Sequence, residues 1–164
     1  MLLVAGCGGY STPGSEPPPG YRWRSLYRED VTTVAIPIFA NKSFHRGVEF
    51  SLTKALVSQL EANSPYKVVP GERADTILEG EITSVQVRTL SEDTTTALPQ
   101  EQIYSITVSF TWKDLRSGRI LVERRNFEQT ATSYPTLAEG QFIPSQIAVE
   151  RLASGIVQAL EADW

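Results

Sequence analysis

Few side chains in this sequence are equipped for chemistry. His45 is the only histidine and Cys7 the only cysteine in a chain of 164 residues. A nucleophile–histidine arrangement would have to use His45 as its base, and no supporting motif lies near it. His45 and Glu49 are spaced to share a helical face, but two groups are too few donors for a zinc site. Glu79 and Glu81 alternate along a strand-like run, which puts both carboxylates on one side about 7 Å apart, a spacing compatible with paired acid–base chemistry. Each of these groups reads more simply as a solvated surface side chain. Gly6, Gly8 and Gly9 neither follow a strand nor open a helix, so they offer no phosphate cradle. The residues point away from catalysis, from a metal centre and from a bound cofactor.

Cys7 offers different chemistry. The run Leu3-Val4-Ala5-Gly6-Cys7 passes from apolar to small residues and ends in a thiol. It resembles the lipobox that bacterial lipoprotein signal peptidase cleaves: Val4 fits the branched position, Ala5 and Gly6 the small ones, and Cys7 the residue that is acylated. Only six residues precede Cys7, short of the basic segment and apolar stretch of a full export signal, so residues 1–7 read as the remnant of a longer one. Ser11 to Gly20 is rich in Pro, Gly and Ser and cannot pack a core, so residues 8–20 read as a solvated tether. Acyl chains on Cys7 would hold the protein at a membrane. Gly8, where an acidic residue would mark inner-membrane retention, implies by the same resemblance the periplasmic face of the outer membrane.

Composition limits the remaining classes. A formal net charge of −4 from mixed signs leaves no general basic field that would recruit nucleic acid or an anionic membrane. No run approaches the roughly 20 apolar residues of a membrane-spanning helix. With 41% apolar and 21% charged residues, the rest is ordinary globular composition, expected to form one domain over residues 21–164.

The elements follow from periodicity. Val31 to Phe39 is β-branched and places Val34, Ile36 and Ile38 on one face of a first strand, with Pro37 implying an edge or an amide turned from any partner. Val48 to Ala62 carries Leu52, Ala55, Leu56 and Leu60 at helical spacing and ends at Asn63-Ser64-Pro65. Short Tyr66 to Val69 precedes a long strand, Thr76 to Arg88, whose apolar parity changes between Ile82 and Val85 and so predicts a β-bulge near Thr83-Ser84. In Ile103 to Trp112, Tyr104, Ile106, Val108, Phe110 and Trp112 face inward, while Ser105, Thr107, Ser109 and Thr111 face outward. A turn at Asp114 to Gly118 leads to an antiparallel strand, Ile120 to Thr132. A second helix, Ser145 to Ala162, has a stripe of Val149, Leu152, Ala153, Ile156 and Leu160. Helices apolar on one side only predict an α+β two-layer sandwich: a mixed sheet of four to five strands with two helices packed on one face.

Specific segments carry a family resemblance. Gly20-Tyr21-Arg22-Trp23-Arg24 and Val34-Ala35-Ile36-Pro37-Ile38-Phe39-Ala40-Asn41 resemble the opening of lipopolysaccharide-assembly lipoproteins of the LptE family. Glu49 to Leu56 resembles the family's first helix, Ala74 to Ile82 its central strand, and the helix ending at Trp164 its last. The resemblance implies a non-enzymatic lipoprotein that plugs and helps assemble a large outer-membrane β-barrel of the LptD type. Lipopolysaccharide itself would be a candidate ligand at loops flanking one end of the sheet. Those loops, here Thr89 to Glu101 and Ser133 to Gly140, contain Glu92, Asp93, Glu101 and Glu139 but no lysine or arginine, so only Arg88 at their margin is carried over as a ligand contact. The basic groups Lys113, Arg116 and Arg119 lie at the opposite turn and read as a solvated tip. Ser105, Thr107, Ser109 and Thr111 form a small, uncharged stripe suited to lie against a barrel's polar interior. The alternative is a lipid-anchored periplasmic regulator or accessory subunit of a cell-wall synthase or secretion system.

Overall fold

The computed structural model describes residues 26–92, 99–133 and 142–161. In chain order these form β1 (Thr33–Ala35), β2 (Ala40–Asn41), α1 (Val48–Asn63), β3 (Lys67–Val68), β4 (Thr76–Glu92), β5 (Pro99–Asp114), β6 (Ile120–Ser133) and α2 (Phe142–Gln158). The strands make one mixed sheet in the order β3-β1-β4-β5-β6, with β2 also beside β4. Pairings of β1 and β2 are parallel and those among β4, β5 and β6 antiparallel. The expected two-layer α+β architecture is present, with six strands where four to five were expected.

The extra strand comes from Pro37. A single strand from Val31 to Phe39 was expected, but the chain pairs with β4 in two pieces separated by Ile36 to Phe39. Ala35 stands opposite Ile77 and Ala40 opposite Glu81, so the interrupted side carries one residue more than its partner. Proline has no N–H to give to a ladder, and the chain arches away where it stands. The Phe39 N–H turns to the Thr53 hydroxyl of α1 (3.3 Å) instead. The arch also breaks the expected common face: Val34 is fully buried, Ile36 only partly, and Ile38 is exposed.

The antiparallel half follows the alternation closely. Tyr104, Ile106, Val108, Phe110 and Trp112 are buried and pack with Leu78, Ile82 and Val85 of β4. The register of β4 on β5 slips between Ile82 and Ser84, leaving Thr83 as the bulge that the change of parity predicted. A second slip sets Arg125 and Asn126 opposite Ser109, with Asn126 in left-handed backbone (φ 53) that asparagine tolerates better than most residues. The Asn126 N–H donates to the Ser109 hydroxyl (3.3 Å).

Leu52, Leu56 and Leu60 of α1 and Val149, Leu152, Ala153 and Ile156 of α2, with Leu160 just beyond its end, bury the two helices on that same face. The second helix starts earlier than its expected Ser145, because Pro144 falls in the first turn, where amides lack intrahelical acceptors anyway. Aromatic packing closes the lower end of the core. Tyr66 meets Tyr27 edge-on and Trp112 at a tilt, both at 5.6 Å. The Trp112 indole N–H donates to the Thr76 hydroxyl (3.0 Å), which in turn donates to the Thr33 carbonyl (3.0 Å), so three strands share one buried polar chain.

Candidate interaction surface

The sheet face away from the helices holds the predicted stripe, with Thr107, Ser109 and Thr111 half-buried and Ser105 buried. Cross-strand register sets Ser105 between Gln86 and Thr130, Thr107 between Ser84 and Glu128, and Thr111 between Glu79 and Glu123, while Ser109 lies beside Glu81. Small hydroxyl groups thus run down the middle strand, joined at one end by Ser84 and Thr130, while carboxylates of Glu79, Glu81, Glu123 and Glu128 flank Thr107, Ser109 and Thr111. These flanking groups were missed because sequence shows which face a residue takes but not which residues a strand pairs with. A shallow basin of about 420 Å³ lies here, bordered by Glu79, Glu81, Ser109, Thr111, Glu123 and Arg125. Its charges are partly balanced: Lys42 pairs with Glu81 (2.7 Å) and Arg125 with Glu123 (2.7 Å). Glu79 and Glu81 do share this face, yet Glu81 is occupied by Lys42, which is an ion-pair arrangement and not a paired acid and base.

Arg88 is exposed near the far end of β4, and its guanidinium donates to the Gln86 side chain (2.9 Å). The loop expected from Thr89 to Glu101 is largely strand, since β4 runs to Glu92 and β5 starts at Pro99. Long antiparallel partners extend a ladder past the point where apolar alternation stops. The remainder of that loop, most of the Ser133 to Gly140 connection, and Cys7 with the tether lie outside the described residues.

At the opposite end Lys113 and Arg119 are exposed as expected of a solvated tip, but Arg116 is engaged. Arg116 forms an ion pair with Asp75, whose carboxylate also accepts the hydroxyls of Thr32 and Thr33 (both 2.8 Å) and the Thr33 N–H (3.1 Å). The Leu115 N–H donates to the Asp75 carbonyl (2.9 Å). Asp75 therefore laces the start of β1 to the β5–β6 hairpin. The Thr33 and Thr32 hydroxyl bonds, then Arg116, hold its carboxyl well below the ordinary carboxylate range. Single-sequence reading passed over Asp75 because its partners are remote in the chain.

His45 lies in the loop ahead of α1, exposed, so it does not share a helical face with Glu49 as expected. Glu49 instead accepts from the Asn41 amide (2.6 Å). Hydrogen bonds to backbone amides and then to Asn41 lower the Glu49 pKa. Among the described residues no three His, Cys, Asp or Glu side chains converge as a metal site would need, and no helix is long and apolar enough to cross a membrane.

Solved structures share the fold. A PelC dodecamer from Paraburkholderia phytofirmans matches with a TM-score of 0.53 at 16% identity, covering 83% of this chain and 93% of that one. A DUF330 protein from Xanthomonas campestris matches at 0.55 and 11% identity, covering 80% and 87%. An uncharacterized lipoprotein B from Nitrosomonas europaea matches at 0.52 and 13% identity, covering 80% and 83%. At these identities the likeness is one of fold. No curated protein matches significantly. The sequence profile described as LptE, lipopolysaccharide-assembly, matches residues 31–163, the greater part of the chain. The chain belongs to the LptE lipopolysaccharide-assembly family.

Proposed function

We propose that this protein is an outer-membrane lipoprotein, acylated at Cys7 on the periplasmic face, that acts as plug and assembly partner of an LptD-type β-barrel during lipopolysaccharide transport. It makes and breaks no bonds. The observation that carries the reading is the family match over residues 31–163. The open sheet face agrees with it. Small hydroxyls along β5, bordered by charged side chains that are already partly paired, can meet a polar barrel lumen without stranding a buried charge. Arg88, at the end of the sheet from which the two long connections depart, is the cation available there for a phosphate of lipopolysaccharide.

Purification of the full chain from membranes tests this: a large β-barrel should remain bound, and the mass of the chain should include acyl groups on Cys7. Recovery with a peptidoglycan enzyme or a secretion subunit in place of a barrel would overturn it. That second outcome belongs to the alternative of a lipid-anchored periplasmic regulator or accessory subunit of a cell-wall synthase or secretion system.

A further inference from the structure

We propose that the loop Lys42 to Gly47, with Phe44 at its tip, is a membrane-contact site that seats the domain on an anionic phospholipid surface. Phe44 is wholly exposed, at 103% of the reference area, and two further large apolar side chains near the start of α1, Phe50 and Ile38, are 59% and 58% exposed. They stand close in the chain, and the Phe39 N–H, next to Ile38, donates to the Thr53 hydroxyl one helical turn on from Phe50. Large apolar side chains exposed at Ile38, Phe44 and Phe50 call for a partner.

The exposure of Phe44 does not come from a loose loop. The Asn41 side-chain oxygen accepts the Ser43 N–H (2.8 Å) and hydroxyl (2.7 Å), and its side-chain amide group donates to the His45 carbonyl (2.8 Å) and to Glu49 (2.6 Å). The Lys42 N–H donates to the Ile82 carbonyl (2.9 Å), pinning the loop to β4. Gly47, in left-handed backbone (φ 89), turns the chain into α1. The ring is thus held out into solvent by a braced turn, so little ordering cost remains when it inserts.

Charge selects the partner. In a chain of net charge −4, this loop carries Lys42, His45 and Arg46 and no acidic residue. The nearest carboxylates are engaged, Glu81 with Lys42 and Glu49 with Asn41. A protruding phenyl ring close in sequence to Arg46, with Lys42 at the start of the loop paired to Glu81, matches the boundary between anionic headgroups and acyl chains, where the ring is buried and Arg46 stays hydrated. A fluid surface surrounds such a ring without a preformed socket. The proposal draws on the anchor reading only in that an acylated Cys7 would hold the loop near a bilayer and raise its effective concentration there.

The test uses the full chain carrying Cys7→Ala, so that acylation plays no part, in cosedimentation with vesicles of phosphatidylethanolamine and phosphatidylglycerol. Binding is expected, weakening with salt and falling on vesicles of phosphatidylcholine alone. Phe44→Ser should lower the partition about tenfold with an unchanged melting temperature, since the ring touches no core. Arg46→Ser should lower it several-fold and reduce the salt dependence. Phe44→Trp should be quenched by brominated acyl chains. Absence of binding to anionic vesicles, or equal binding by Phe44→Ser, overturns the proposal. It is equally overturned if Phe44→Ser leaves vesicle binding intact but strips a protein partner from membrane extracts. Acylation of the wild-type chain is read separately by mass, so an unmodified Cys7 would remove the anchor and leave the vesicle result standing.

Discussion

Gly80→Ala is the sharpest test of how this core is assembled. Gly80 lies in β4 with its open side under the Phe39 ring, which is 2% exposed. A Cβ built there would stand 2.2 Å from Phe39 Cε1, 2.7 Å from Cδ1 and 2.9 Å from Cζ. Ordinary contact begins at 3.4 Å, so the ring must retreat by more than the clearance available in a packed interior. If it shifts within the core, overpacking costs about 1–3 kcal/mol, and if it swings outward the lost burial costs about 1.5–3 kcal/mol. Gly80→Ala should therefore destabilise by about 1–2 kcal/mol, after the ~0.5–1 kcal/mol that alanine gains over glycine in a strand. Urea unfolding followed by circular dichroism would show a lower midpoint at unchanged slope. Phe39→Ala alone should cost about 3–5 kcal/mol. In that background Gly80→Ala should become neutral or stabilising, because its methyl group then enters vacated space. An equal cost of Gly80→Ala in both backgrounds, to within ~0.5 kcal/mol, would refute the reasoning. The consequence reaches the surface, since Phe39 leads directly into β2 and the loop that presents Phe44.

Thr76→Val keeps the shape of the side chain but strands the Trp112 indole N–H in a fully buried site and frees the Thr33 carbonyl, which should cost about 1–3 kcal/mol in the same assay. Asp75→Asn should lower stability at neutral pH by about 2 kcal/mol and flatten the acid limb of the stability profile. The folded pKa of Asp75 lies below its unfolded value, so its contribution is complete above the unfolded pKa of about 3.9 and fades as pH falls through the folded one. A variant that loses stability in parallel with the wild type below pH ~4 would contradict that assignment. Thr111→Lys places a cation between Glu79 and Glu123 on the open face. It should leave the melting temperature nearly unchanged and reduce the yield of co-purified barrel, and full retention of the barrel would remove this face from the interface.

Local pattern alone carried a great deal. The strict alternation in β5 set its inward and outward residues, the change of parity after Ile82 located the bulge at Thr83, and helical spacing identified the buried residues of α1 and α2. Each of these signals is complete within a few neighbouring residues, because burial on one side of a strand or helix is written directly into its period. The family, too, was legible from short segments such as Val34 to Asn41 and Ala74 to Ile82. Tertiary structure decided what depends on which element lies beside which. Splitting the first strand at Pro37 required β4 to be there as the partner that the arch leaves and rejoins. Carboxylates bordering the hydroxyl stripe, the lacing of Asp75 to Thr32, Thr33 and Arg116, and the fit of Phe39 over Gly80 all join residues far apart in the chain. Phe44 shows the same division: the sequence contains an ordinary phenylalanine in a polar loop, and only the bracing by Asn41 and β4 shows that it is held outward.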